Sequence, residues 1–267
     1  MKHLPNLLTL GNLFCGCMAL AYILCAQPYI YQTFEGGIFQ AHWVPAYEQM
    51  YMGSIFLVIA AVCDMLDGFT ARLLQVHSPI GKDLDSLADV VSFGVAPSAI
   101  MYKLLWDALM GEKNAMDIPI LAMAPAFLIA CFAALRLAKF NVTTSHQKYH
   151  FIGMPTPAVG IVVASFPLIL WYNPFNMVDV FHNKWLLYGI IIILCYLMVS
   201  PIKFLKLLPS AKGLKNWWAQ LVIIIVSLAA IPFAGYLCIP VGFVLYILLS
   251  LVHKYPEESG IQQEVTN

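Results

Sequence analysis

The chain has 267 residues, of which 61% are hydrophobic and only 10% charged, with a formal net charge of +0 and a mean hydropathy of +0.79. This excludes an ordinary soluble domain. With no basic patch carrying interleaved aromatics, it also gives no ground for a nucleic-acid partner. Runs of about 18 or more apolar residues are long enough to cross a bilayer, so the expected class is an all-α polytopic membrane protein.

The first apolar stretch, Leu7 to Ala26, exceeds the h-region of a signal peptide and carries Asn6, Thr9 and Asn12 three residues apart. It therefore reads as a retained first span. Residues 27–51 are apolar and aromatic and read as a connection lying along the membrane interface. Further spans are expected at roughly 52–74, 84–106, 118–140, 154–172, 185–200, 217–232 and 235–252, which makes about eight in all. The last two are short and separated by "PFAG", so 201–252 reads as an added helical pair behind a membrane core at 1–200. Residues 253–267 form a polar tail on the cytoplasmic side. The seven cysteines all lie in or beside apolar runs and are expected to pack as small hydrophobes.

Lysine and arginine set the orientation. With a cytoplasmic N-terminus, eleven of the 14 basic residues fall on the cytoplasmic side. Only Lys113, Lys184 and Lys103 then fall at or towards the other.

Against this apolar background, five of the eight aspartates crowd into residues 64–89, "DMLDGFTARLLQVHSPIGKDLDSLAD". Asp64, Asp67, Gly68 and Ala71 are spaced i, i+3, i+4 and i+7, one face of a helix. Gly81, Asp85, Asp89, Ser92 and Ala96 form a second stripe of polar and small residues on the next span, with Asp83 about 200° round from Gly81 on the opposite face. Four carboxylates on two facing helices repel one another, and each costs roughly 2.5–3.5 kcal/mol at a span's centre. Divalent metal, shared between carboxylates and a substrate's phosphates, is the natural compensation. Pairing of the carboxylates with Arg72 and Lys82 as interfacial charges is the plainer alternative, and it explains neither the facing stripes nor the omission of Asp83.

The same residues resemble the CDP-alcohol phosphatidyltransferase family, whose pattern is D-x2-D-G-x2-A-R-x8-G-x3-D-x3-D. Asp64, Asp67, Gly68, Ala71, Arg72, Gly81, Asp85 and Asp89 match it at every spacing. The resemblance implies a six-helix core, commonly dimeric, with a polar cavity open to the cytoplasm. It implies that Asp64, Asp67 and Asp85 bind a divalent metal, Mg2+ or Mn2+. Asp89 would also reach the metal and serve as general base. Arg72 would hold a diphosphate, and Gly68, Ala71 and Gly81 would let CDP approach the helices.

"LPNLLTLGNLFCG", "LDSLADVVSFGVAPS", "ALRLAKFN" and "FIGMPTPA" resemble one branch, the integral-membrane phosphatidylserine synthases of bacteria, and extend the likeness over about residues 4–200. In that branch the Asn and Thr of the first helix, here Asn6, Thr9 and Asn12, lie near the cytidine pocket. The substrates implied are CDP-diacylglycerol and L-serine. The partners implied are membrane lipids and a second copy of the chain. The location implied is a bacterial inner membrane, with the site facing the cytoplasm.

From the residues themselves, Arg136, Lys139 and Asn141 at a cytoplasmic helix end are candidates for an acceptor's carboxylate or phosphate, with an ordinary positive-inside anchor as the even alternative. Pro155-Thr156-Pro157 reads more as a helix start than as a ligand contact. His77 lies in the connection between the key helices, where a histidine is more often solvated than catalytic, and His146 and His150, at i, i+4 spacing, have no third ligand nearby. Two rival functions stay open at this point. One is the same transfer to glycerol 3-phosphate or inositol phosphate. The other is a cation transporter, which would need an acidic relay in the opposite half of the membrane.

Overall fold

The computed structural model describes residues 4–35, 38–44, 46–74, 79–111, 118–143, 150–205 and 235–252. It is an all-α membrane fold with two small β-ladders at its ends. α1 (Leu4–Cys25) and α2 (Tyr47–Leu74) pack along each other and are joined by a hairpin, β1 (Tyr29–Glu35) paired antiparallel with β2 (Ile38–Val44). The connection expected to lie along the interface is thus a strand pair. Its two halves satisfy each other's backbone groups, which an apolar, aromatic segment near lipid cannot leave unpaired.

α3 (Pro79–Asp89) begins five residues before the expected start, with proline in its favoured place at a helix N-terminus. It runs through a π turn at Val90–Val95 into α4 (Ala96–Met110). The combined helix is the best-buried of the five single-helix spans among the described residues, and it packs against α1, α5, α6 and α8. α5 (Leu128–Thr143) is entered through a 3-10 segment, Ile120–Phe127, that contains Pro125. α6 (Thr156–Tyr172) ends at Asn173 in the left-handed region, and the chain bends by 118° into a short stretch that includes α7 (Met177–Phe181). α8 (Lys184–Val199) returns, capped by the Asn183 side chain accepting from Trp185 N at 3.0 Å. α9 (Cys238–Val252) lies against α6. A three-residue ladder pairs β3 (His150–Ile152) with β4 (Lys203–Leu205).

Five helices among the described residues are long and apolar enough to cross a membrane, or six if the bent pair counts as one span, with α8 shorter at 16 residues. The expected count of eight is therefore not reached among these residues, and the span expected at 217–232 lies outside them. Leu7, Phe14, Leu73, Ile80, Leu121 and Ile192 are each more than half exposed, an outer shell suited to lipid rather than to water. Close approach inside the bundle uses small residues. A Cβ on Gly160 would come 2.8 Å from Phe93 Cδ1, so α6 can lie against the π turn only with glycine there. Lys103 is buried at the end away from the aspartates, where its ammonium donates to Ala26 O at 2.7 Å and lies over the Trp106 ring.

Candidate active site

The carboxylates are supplied by the second half of α2 and the second half of α3. They are steadied by α1, whose buried stripe is Pro5, Thr9, Asn12, Gly16, Ala19 and Ile23. One carboxylate oxygen from each of Asp64, Asp67 and Asp85 lies within 4.8 Å of the other two. Asp67 and Asp89 are buried, whereas Asp64 and Asp85 are half-buried. Asp83 is exposed and stands outside the cluster.

Thr9 and Asn12 sit where they touch the aspartates directly. The Thr9 hydroxyl donates to Asp67 Oδ2 at 2.7 Å, within the short range of charge-assisted bonds. Asn12 Nδ2 donates to Asp89 Oδ1 at 3.3 Å, and the Asn12 carbonyl accepts from Ser92 Oγ at 3.1 Å. The Asp89 carboxyl lies beside that of Asp64. Gly16 permits this approach, since a Cβ there would fall 2.9 Å from Ser92 Cα.

The basic residues do not pair with the aspartates in the way the plainer alternative required. Arg72 Nε donates to Gly68 O and Lys82 Nζ to Asn141 O, each at 3.0 Å. The outer part of the Arg72 guanidinium is left on an exposed surface. Asn6 is half-buried on α1, Ala71 and Gly81 are half-buried, and Gly68 is exposed. A Cβ on Gly68 would meet nothing within 4 Å, so packing within the chain does not demand glycine there.

Arg136 is buried against the start of α6, where its Nη1 donates to Thr156 Oγ1 at 3.1 Å and its guanidinium lies 5.4 Å from the centre of the Phe140 ring. With Lys139, Ile152 and Ser200 it lines a cavity of ≈ 50 Å³, far too small for a nucleotide. Thr156 is therefore both the first residue of α6 and a partner of Arg136. Asn141, the third acceptor candidate, joins two helices. Its amide donates to Ser86 Oγ at 2.8 Å and its carbonyl accepts from Lys82, so it braces α5 against α3. Ser86 carried no signal in the sequence beyond a place four residues after Lys82.

Three buried side-chain atoms find no hydrogen-bond partner among the described residues: Asp85 Oδ1, Asn12 Oδ1 and Arg136 Nε. Buried polar atoms are nearly always paired, so orphans need an explanation. All three belong to residues of this one region. Two are acceptors suited to a cation or a donor group, and one is a cationic donor suited to an anion. The oxygen-only set of Asp64, Asp67 and Asp85 is of the chemistry that would hold a hard divalent cation.

Comparison with known proteins agrees with this chemistry. The CDP-alcohol phosphatidyltransferase family model matches residues 2–202. A CDP-diacylglycerol–serine O-phosphatidyltransferase of Helicobacter pylori strain J99 is 32% identical over 250 residues, which is 93% of this chain and 89% of that protein. The Bacillus subtilis protein of the same name is 32% identical over 206 residues, 76% of this chain and 90% of its own length. An archaetidylserine synthase of Methanothermobacter thermautotrophicus is 35% identical over 122 residues, 45% of this chain and 47% of that protein. The matched region holds the aspartate cluster, the α1 residues that steady it and Arg136, and the chain belongs to the CDP-alcohol phosphatidyltransferase family.

Proposed function

We propose that the protein makes phosphatidylserine, transferring the phosphatidyl group of CDP-diacylglycerol to the hydroxyl of L-serine with release of CMP. The observation that carries this reading is the meeting of three candidate metal-binding carboxylates, a fourth buried carboxylate and a buried arginine with an unsatisfied Nε. The likeness to a CDP-diacylglycerol–serine O-phosphatidyltransferase over 93% of the chain supports serine as the acceptor.

Asp64, Asp67 and Asp85, with Asp89 within reach, would hold the divalent cation, Mg2+ or Mn2+. When bound, it supplies charge neutralisation to the diphosphate and to the departing CMP. Arg72, Gly68, Ala71 and Gly81 border the diphosphate, with Asn6 at the nucleotide side. Thr9 holds Asp67 in place, and Asn12 does the same for Asp89 through one oxygen. Asp89 takes the proton from the serine hydroxyl as its oxygen attacks the β-phosphorus. The new P–O bond forms as the bond from that phosphorus to the bridging oxygen breaks, and the bridging oxygen leaves with CMP. General-base help of this kind contributes about 10²–10⁴-fold. Arg136, with Lys139 near it, receives the serine carboxylate. The acyl chains stay in the bilayer, and no covalent enzyme intermediate is invoked.

We infer that the protein works as a homodimer in a bacterial inner membrane, with the site open to the cytoplasm, where CDP-diacylglycerol's headgroup and serine would meet. The test supplies purified protein with CDP-diacylglycerol, Mn2+ and, in separate reactions, serine, glycerol 3-phosphate or inositol phosphate, and follows CMP release. Serine alone should support turnover. Release with a phosphorylated acceptor and not with serine would sink the assignment.

A further inference from the structure

We propose that Thr156, the first residue of α6, is a positioning residue for Arg136: its hydroxyl takes one end of the guanidinium and leaves the other edge for the acceptor's carboxylate. Thr156 is fully buried, and Arg136 is buried beside it. Arg136 Nη1, on α5, donates to Thr156 Oγ1 at 3.1 Å. The bond thus joins two helices at the end where the acceptor candidates lie.

Thr156 is held by backbone with little freedom. Pro155 and Pro157 lock φ on either side of it. The chain leading into it is tied to the end of α8 and the residues that follow. Gly153 N donates to Ile202 O at 3.0 Å, and Met154 N donates to Leu197 O at 2.9 Å. Gly153 has a φ of +79°, and a Cβ there would run into Met198 O, so this approach requires glycine. The side chain adds stiffness of its own, because a β-branched residue has few χ1 choices. The hydroxyl is therefore a fixed point to which a long, flexible arginine is attached.

The bond uses Nη1 and leaves Nε with Nη2, the side-on edge of the guanidinium. Nε is buried and finds no hydrogen-bond partner among the described residues. That edge carries two parallel N–H groups, the arrangement that takes a carboxylate by two bonds. Thr156 and Phe140, whose ring centre lies 5.4 Å from the guanidinium, are both uncharged. They orient the arginine without neutralising it, and among the described residues no carboxylate hydrogen-bonds to it. An arginine already paired with a carboxylate has much of its attraction for an incoming anion cancelled. Without the Thr156 hydroxyl the fork would have several directions open to it, and ordering it would weigh against serine binding.

The proposal rests on the reading that Arg136 receives the serine carboxylate, and the experiment separates the two. Steady-state kinetics on the full-length protein in detergent micelles would compare wild type, Thr156→Val, Thr156→Ser, Arg136→Gln and the double variant of Thr156→Val with Arg136→Gln. Thr156→Val keeps the shape and removes the hydroxyl. It should raise the KM for serine about tenfold, the scale of one hydrogen bond to a charged group, with kcat and the KM for CDP-diacylglycerol within about twofold. Thr156→Ser keeps the hydroxyl, and its serine KM should stay within about threefold of wild type, the freedom of three χ1 wells. Arg136→Gln should raise the serine KM further, and adding Thr156→Val to it should have no further effect. If Thr156→Val or Arg136→Gln does not accumulate as folded protein, Thr156→Ala or Arg136→Met takes its place, removing the same hydroxyl or the same guanidinium. A serine KM untouched in the arginine variant sinks the acceptor reading. A raised KM there beside a wild-type KM in Thr156→Val overturns the positioning role alone. So does a Thr156→Ser variant as impaired as Thr156→Val, or a Thr156→Val effect that persists undiminished in the arginine-variant background.

Discussion

Thr9→Val replaces a hydroxyl by a methyl group of the same shape at a position that is 3% exposed. The lost bond is the 2.7 Å contact to Asp67 Oδ2. A buried hydrogen bond to a charged group is worth about 1.5–3 kcal/mol, and groups that orient metal ligands typically matter by about 10–100-fold in metal affinity or activity. Asp67 would keep its charge and lose the donor that fixes its rotamer. The expected result is a rise of about 10–100-fold in the Mn2+ concentration giving half-maximal CMP release. The KM for CDP-diacylglycerol, measured at saturating Mn2+, should stay near the wild-type value. A metal titration of initial rates, repeated at several lipid-substrate mole fractions in mixed micelles, distinguishes the two. A metal requirement within twofold of wild type, together with a raised KM for CDP-diacylglycerol, would refute the reasoning and return Thr9 to the cytidine pocket implied by the family resemblance.

Asp89→Asn removes the proton acceptor while keeping the amide oxygen in place. Turnover should fall by about 10²–10⁴-fold with CDP-diacylglycerol still retained in an equilibrium binding assay, and unchanged turnover would remove Asp89 as base. Asp83→Asn, at an exposed residue outside the carboxylate cluster, should leave kcat within about twofold. A loss as deep as that of Asp85→Asn would undo the argument from facing stripes. Gly68→Ala should not lower the thermal unfolding temperature, because a Cβ there meets nothing within 4 Å and alanine favours the helix. It should raise the KM for CDP-diacylglycerol if the diphosphate lies against that backbone, and an unchanged KM would place the nucleotide elsewhere.

The helical spans were legible in the sequence because a bilayer imposes long apolar runs. The second and third spans nevertheless begin five residues earlier than hydropathy indicates, at Tyr47 and Pro79, since polar first turns such as the one holding Glu48 are helical without being apolar. The β1–β2 hairpin was not legible. Its run Tyr29–Glu35 is rich in aromatic and β-branched residues, but pairing is a property of two segments, and aromatics near a span also read as an interfacial belt. The facing aspartate stripes follow from a period of 3.6, which needs no tertiary information. What Thr9 and Asn12 touch depends on how α1 crosses α2 and α3, which residue spacing alone does not carry. The bond from the Asn141 amide to Ser86 likewise depends on how α5 lies against α3.

The π turn at Val90–Val95 begins at the residue after Asp89, with Ala96 N–H bonding Val91 O instead of the carbonyl four residues back. A turn of this kind takes in one residue more than an α turn. The long helix is therefore a shaft with an offset coupling. Its reactive half presents Asp85 and Asp89 to α1 and α2, while its structural half is keyed into α6 and α8. Deleting one residue along with the wide turn would leave the two halves nearly in register, whereas closing all of its residues into α geometry would rotate one half against the other by about 100°. Either the carboxylates would turn away from their partners or Phe93 would leave the notch at Gly160. The coupling thus separates two kinds of rotational register that a single regular helix would force to agree.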